Sequence, residues 1–306
     1  MKKQRMFRAA VLAAALFMLL AGCGNGHYGE SDTLVLSARE GLKALSQGGW
    51  ILVDAQKKTV YAKEHVAGAV NIERAEITVS QPVANMLAPA EVIARAAGGA
   101  GITADSDLLI YDDNNNMDSG RLAWSLMIYG HKGKIRVISG GLQDLVREGA
   151  QVNADAVAVT PAVYAPGTLN SSWLAERREI LDLLNNPREN AVILDVRTDE
   201  EYEAGTIPGS VHIDYLRNNF SDGTIKPVQQ IRILYKENGI MPEDTVYMYC
   251  KTSIRAAETF TALYNAGYRN LKIYDGAWLD WSSDPSLPVY VPEVPGAALI
   301  QVEDAS

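Results

Sequence analysis

Short apolar runs alternate along this chain with stretches whose apolar residues return every three or four positions. In the C-terminal half, "AVILDV" (191–196), "TVYMYC" (245–250) and "LKIYDG" (271–276) are runs bounded by turn residues, the pattern of strands buried on both faces. Around them, "SSWLAERREILDLLN" (171–185), "VQQIRILYKENG" (228–239) and "RAAETFTALYNAG" (255–267) carry helical spacing. Gly239 and Gly267 stand where the helix ends call for a left-handed residue. Strands alternating with helices imply a parallel sheet covered on both faces, so the predicted class is α/β. In such sheets reactive groups lie beyond the carboxyl ends of the strands, which is where Cys250 falls.

The N-terminal half repeats the pattern. "WILVDAQKKTVYAKEHVAGAVNI" (50–72) aligns with 191–213 at a constant offset of 141, placing Asp54 on Asp195, Tyr61 on Tyr202, Gly68 on Gly209 and Val70 on Val211. Further on, "DLLIYDDNNN" (107–116) matches "DTVYMYCKTS" (244–253), and "KIRVISGGLQDL" (134–145) matches "NLKIYDGAWLDW" (270–281). Two domains of one fold follow, over 34–148 and 171–292, each near the usual domain size. Residues 149–170, rich in small residues with two prolines, read as a linker, and 293–306 as a tail.

Composition agrees with folded cores: 47% of the 306 residues are hydrophobic and 21% charged. Residues 1–22 stand apart. Lys2, Lys3, Arg5 and Arg8 flank "AAVLAAALFMLLAG", too short to span a bilayer comfortably, and together they read as a signal peptide. "LLAGC" resembles the lipobox of bacterial lipoproteins, which implies that Cys23 becomes a lipid-bearing N-terminus. The mature protein would then hang from a membrane of the cell envelope, outside the cytoplasm, by a flexible tether over 23–33. Losing the leader removes four positive charges and no negative one, taking the formal net charge from −9 to −13. Such an acidic surface argues against nucleic acid as a partner. With Cys23 lipidated, Cys250 is the only free thiol and no intrachain disulfide can form.

Cys250 closes a strand and precedes a tight loop and a helix, in "VYMYCKTSIRAAETF" (246–260). A thiol there faces free backbone N–H groups and the positive end of the helix dipole, with Lys251 and Arg255 close by, a setting that favours the thiolate. The alternative is a small buried apolar residue at a strand end. His65 and His212 sit singly, without ligand-like spacing, so neither metal nor other cofactor is expected.

"CKTSIR" after a strand, with "LDVR", "EY" and "GTIPGSVHI" upstream and "IYDGAW" downstream, resembles the rhodanese sulfurtransferases, and the repeat resembles their two-domain members. The resemblance covers residues 35–290 and implies two rhodanese-like domains, the first inactive because Asp112 stands where the second has Cys250. It implies that Cys250 takes sulfane sulfur from a donor, holds it as a persulfide and passes it to cyanide or a thiol. The N–H groups from Lys251 through Thr252, Ser253 and Ile254 to Arg255 would stabilise the anionic sulfur. Tyrosine phosphatase loops are the nearest rival, but they enclose five residues between cysteine and arginine, whereas Cys250 and Arg255 enclose four. Asp195 and Arg197 are expected to form a supporting ion pair. Trp278 would either line the pocket or fill core, and the longer first-domain loop, through Met117, would be structural or would wall the cleft.

This chain departs from the family pattern at two places. Ser253 replaces a frequent glycine, and Glu201 stands where vertebrate tandem enzymes have a donor-binding arginine. Two loop cations favour a dianionic donor, so thiosulfate is expected. A 3-mercaptopyruvate sulfurtransferase and a persulfide-accepting delivery module are the alternatives.

Overall fold

The computed structural model describes Tyr28 and residues 33–292; the predicted signal peptide, Cys23, most of the tether and the tail lie outside the described residues. Each half forms one five-stranded, all-parallel sheet. In the first, β1 (Val35–Leu36), β2 (Trp50–Asp54), β3 (Val70–Asn71), β4 (Asp107–Tyr111) and β5 (Ile135–Ile138) lie in the order β1-β5-β4-β2-β3. In the second, β6 (Leu174–Ala175), β7 (Ala191–Asp195), β8 (Val211–His212), β9 (Thr245–Tyr249) and β10 (Leu271–Tyr274) repeat it as β6-β10-β9-β7-β8. Register repeats as well: Asp54 lies opposite Tyr111 and Asn71, and Asp195 opposite Tyr249 and His212.

Helices α1 (Ala38–Ser46), α2 (Ala90–Gly99), α3 (Met117–Ile128) and α4 (Gly141–Arg147) accompany the first sheet, and α5 (Arg177–Asn185), α6 (Val228–Glu237), α7 (Ile254–Asn265) and α8 (Ala277–Ser282) the second. Gly239 and Gly267, at φ +77° and +96°, follow the ends of α6 and α7 as the sequence predicts. The helical spacing over 171–185 divides. Leu174 and Ala175 are drawn into an edge strand beside β10, and α5 starts at Arg177 behind a Glu176–Glu179 capping box, because sheet pairing overrides local periodicity. The predicted linker lies along the first domain: Val152–Asn153 pairs with His65–Val66, Ala162 N–H donates to Gly98 (2.9 Å), and Gly167 N–H donates to Tyr129 (2.7 Å).

Strand alternation decides which way Cys250 points. Val246, Met248 and Cys250 share one face of β9 and its extension, while Tyr247 and Tyr249 take the other. The Val246 face meets α7, and α7 crosses α3, so one continuous core joins Leu108, Leu122 and Trp124 of the first domain to Met248, Phe260 and Leu263 of the second. Close approach requires Gly120: a Cβ there would stand 3.1 Å from Ala257 O and 3.2 Å from Glu258 Cα.

Glu258 is sealed into this interface, accepting from Asn218 Nδ2 (3.0 Å) and Asn219 Nδ2 (3.2 Å). Burial pushes its carboxyl up to about 8, against the pull of these amides and of Thr259 and with the help of Asp112 across the interface. The folded protein therefore keeps a proton there that the unfolded chain has released. Stability from this group is present in full below about 4.5 and is lost as pH rises through about 8. Thermal unfolding of Glu258→Gln should lose that part of the pH dependence and show a melting temperature a few degrees above wild type at the alkaline end; parallel profiles would contradict the assignment.

Candidate active site

Cys250 immediately follows β9, and the chain turns through Lys251, Thr252 and Ser253 into α7. The turn is pinned from outside: Trp278 N–H donates to Cys250 O (2.9 Å) and Leu279 N–H to Lys251 O (3.3 Å). Ser253 adopts the left-handed conformation at φ +65°, which costs a non-glycine residue about 1–2 kcal/mol. Its buried hydroxyl offsets this by donating to Tyr274 O (2.9 Å) and Asp275 O (3.0 Å), which accounts for serine where glycine is frequent.

Among the described residues, the backbone N–H groups from Lys251 to Ala256 meet no hydrogen-bond acceptor. The same turn follows the Cys250 thiol, which is only 1% exposed. Thr252 is half-buried, Ile254 buried and Lys251 exposed. Arg255 grips Glu201 with both arms, Nη2 lying 3.0 Å from Oε1, and faces the Tyr215 ring at 5.9 Å. Burial works against the Arg255 charge, but Glu201 and the adjacent Cys250 sulfur outweigh it and hold the guanidinium protonated. Burial would likewise raise the Glu201 carboxyl, yet the hydrogen bond and charge of Arg255 prevail and lower it.

The first domain shows how such a turn is closed without a cysteine. Asp112 Oδ1 accepts from Asn114 N–H (2.9 Å) and Asn116 N–H (3.1 Å), and Oδ2 from the N–H (2.8 Å) and hydroxyl (2.9 Å) of Ser119. The cradle is filled by the protein's own carboxylate. Asn116, at φ +62°, takes the place of Ser253 after one extra loop residue, so Asp118, and not Arg121, corresponds to Arg255. Asp118 is paired with Arg74 (2.6 Å). Met117 packs into the shared core, and the loop reaches the second domain through Asn116 Nδ2 donating to Gly223 O (2.8 Å).

Asp195 and Arg197 form a fully buried ion pair, Nη2 standing 2.6 Å from Oδ2. Thr206 (2.9 Å) and Tyr249 (2.8 Å) also donate to Asp195, and Arg197 donates to Gly205 O (2.6 Å). Trp278 lies over the Arg197 guanidinium at 4.2 Å, so its ring covers the pair while its N–H holds Cys250. At the matching place in the first domain Gln56 donates to Asp54 (2.7 Å). With no cation there, burial pushes Asp54 up to about 6 despite hydrogen bonds from Tyr111 and Gln56.

The first domain also touches the active turn at residues that local sequence pattern does not mark. Asn85, at the tip of the hairpin Thr78–Val79/Met86–Leu87, donates to Thr252 Oγ1 (3.1 Å). Arg121, buried on α3, donates from Nη2 to Asn85 O and to Asp275 Oδ1, both at 2.9 Å, and Leu87 N–H donates to Asp275 Oδ2 (2.6 Å).

One parallel-sheet unit thus occurs twice in the described residues, with a cysteine at the turn of one copy and a carboxylate filling the turn of the other. The description "Rhodanese-like domain" matches residues 37–148 and again 176–284, and the chain belongs to that family. A sulfur carrier protein, TtuD, of Thermus thermophilus is 27% identical over 75% of this chain and 86% of its own. A putative thiosulfate sulfurtransferase of Mycobacterium tuberculosis is 24% identical over 78% and 91%, and the rat thiosulfate sulfurtransferase 25% identical over 74% and 80%. Among solved structures, the anaerobic ergothioneine biosynthesis enzyme of Chlorobium limicola matches with a TM-score of 0.76 over 86% of this chain and 71% of its own, at 22% identity, a likeness of fold.

Removing the cation from the buried pair should cost far more than removing its neutral counterpart. Arg197→Met leaves Asp195 charged and uncompensated and should lower stability by about 3–5 kcal/mol, whereas Gln56→Met should cost about 1–3 kcal/mol. Urea unfolding of the two variants checks this, and equal losses would contradict it.

Proposed function

We propose that this protein is a rhodanese-type sulfurtransferase that carries sulfane sulfur as a persulfide on Cys250. The observation that carries the reading is the run of N–H groups from Lys251 to Ala256, unpaired among the described residues, in the turn that follows Cys250, where the sister domain fills the corresponding turn with a carboxylate. An anionic sulfur fits that turn as Asp112 fits the other, and it stays anionic when a second sulfur is added. In the step with thiosulfate, the Cys250 thiolate attacks the outer sulfur, the sulfur–sulfur bond of the donor breaks, and sulfite leaves with the electron pair. The product is a cysteine persulfide anion, which then yields its outer sulfur to cyanide or a thiol.

Ser253 and Thr252 shape the turn, Ile254 anchors it in the core, and Arg255 places a positive charge beside the sulfur. Asp195 and Arg197 act at one remove, supporting Trp278 against the back of the loop. Thiosulfate is the donor named for several relatives; of the two loop cations here, Arg255 is held by Glu201 and Lys251 is without an ion pair among the described residues. No metal or organic cofactor enters the step.

A second reading, a delivery module charged by another protein, draws support from the burial of Cys250 and from the similarity to a sulfur carrier protein. Cyanide-dependent thiocyanate formation separates the two: the enzyme reading expects turnover that Cys250→Ala abolishes, whereas equal rates in both would remove the role of Cys250.

We further propose that Cys23 is lipidated and ties the protein to the cell envelope. Among the described residues no helix is long and apolar enough to cross a membrane. Cys23→Ala should move the protein from the membrane fraction to the soluble fraction of cells, and an unchanged distribution would contradict the anchor.

A further inference from the structure

Glu201 belongs to the one-turn helix Asp199–Glu203 that follows β7. Its position is fixed from behind by a capping box: Thr198 N–H donates to Glu201 Oε2 and Glu201 N–H to Thr198 Oγ1, both at 3.3 Å. From there both carboxylate oxygens close on Arg255, whose guanidinium interacts with the Cys250 sulfur. The pair is mostly shielded, with side-chain exposures of 15% for Arg255 and 30% for Glu201. A fork-to-fork pair of this kind uses the guanidinium edge that would otherwise receive an oxyanion. Lys251, exposed at the other side of the turn, is the loop cation left without an ion pair among the described residues.

We propose that Glu201 is a specificity-determining residue: by occupying Arg255 it turns the site away from dianionic thiosulfate and towards monoanionic organic sulfur donors, α-keto thiols or alkyl persulfides. This rests on the sulfurtransferase reading and refines its substrate class. With 3-mercaptopyruvate the thiolate attacks the donor sulfur and the carbon–sulfur bond breaks. Its electron pair and the thiol proton end on the methyl carbon of pyruvate, leaving the persulfide anion. With an alkyl persulfide the outer sulfur is attacked and the alkyl thiol leaves with the proton. Neither leaving group carries the double charge of sulfite, so neither needs a second free cation.

The test compares wild type with Glu201→Gln, which keeps an acceptor for Thr198 and removes the charge. Steady-state kinetics with cyanide as acceptor should show kcat/KM for thiosulfate rising relative to 3-mercaptopyruvate by about tenfold, mainly through KM for thiosulfate, with the gain shrinking at high salt. Glu201→Asp should stay closer to wild type. A donor ratio unmoved in Glu201→Gln, or both donors lost in equal measure, overturns the proposal and leaves Glu201 as a mere orienter of Arg255. A readout without turnover runs alongside: protection of Cys250 from iodoacetamide by sulfate relative to pyruvate should rise in Glu201→Gln by a similar factor. If that shift appears while no donor turns over, the sulfurtransferase reading fails and the charge selection stands. If protection does not shift, the charge selection fails whatever the turnover.

Discussion

A helix that starts at the carboxyl edge of a sheet leaves its first N–H groups without carbonyl partners. This chain places two such helices, α3 and α7, against each other at its centre. Such groups favour an anion, and the two domains differ in what they place there. In the first it is Asp112, bonded by three N–H groups and a hydroxyl. In the second no acceptor is found among the described residues, and a cysteine precedes the turn. The two turns have the same left-handed entry into the helix, at Asn116 and at Ser253, so they act as a paired comparison inside one molecule.

The paired comparison extends to the charges behind the turns. Asp195 has Arg197, Thr206 and Tyr249; Asp54 has only neutral partners, and burial raises its carboxyl to about 6. Full ionic compensation thus lies behind the Cys250 turn, and Trp278, with its ring over Arg197, links that compensation to the backbone of Cys250. The first domain is not a bystander. Arg121 joins Asn85 to Asp275, and these two meet the turn at Thr252 and Ser253, so the orientation of the reactive loop is shared across the domain boundary.

Much of this was legible from sequence because it is local or repeated. Strands buried on both faces, such as β4 and β9, are continuous apolar runs, and three blocks matching in the same order expose the duplication of the α/β unit. The turn at Cys250 is legible for the same reason, since strand end, cation pair and helix start are contiguous. What escaped depends on tertiary partners. Leu174 and Ala175 sit within a helical rhythm and become strand only because β10 offers an edge. Asn85 and Arg121 come from distant segments, and nothing in their own neighbourhood marks them. Both loop cations are visible in the sequence, but the carboxylate that engages one of them lies 54 positions upstream.

The central claim is that the turn from Lys251 to Ala256 is built to hold an anionic sulfur on Cys250 and a second sulfur beyond it. Intact-mass and peptide-level mass spectrometry after brief exposure to a sulfane donor tests it most directly. The account predicts one added sulfur atom, confined to the peptide that contains Cys250 and removed by cyanide. Unchanged mass with every donor class, or sulfur located elsewhere on the chain, would contradict it.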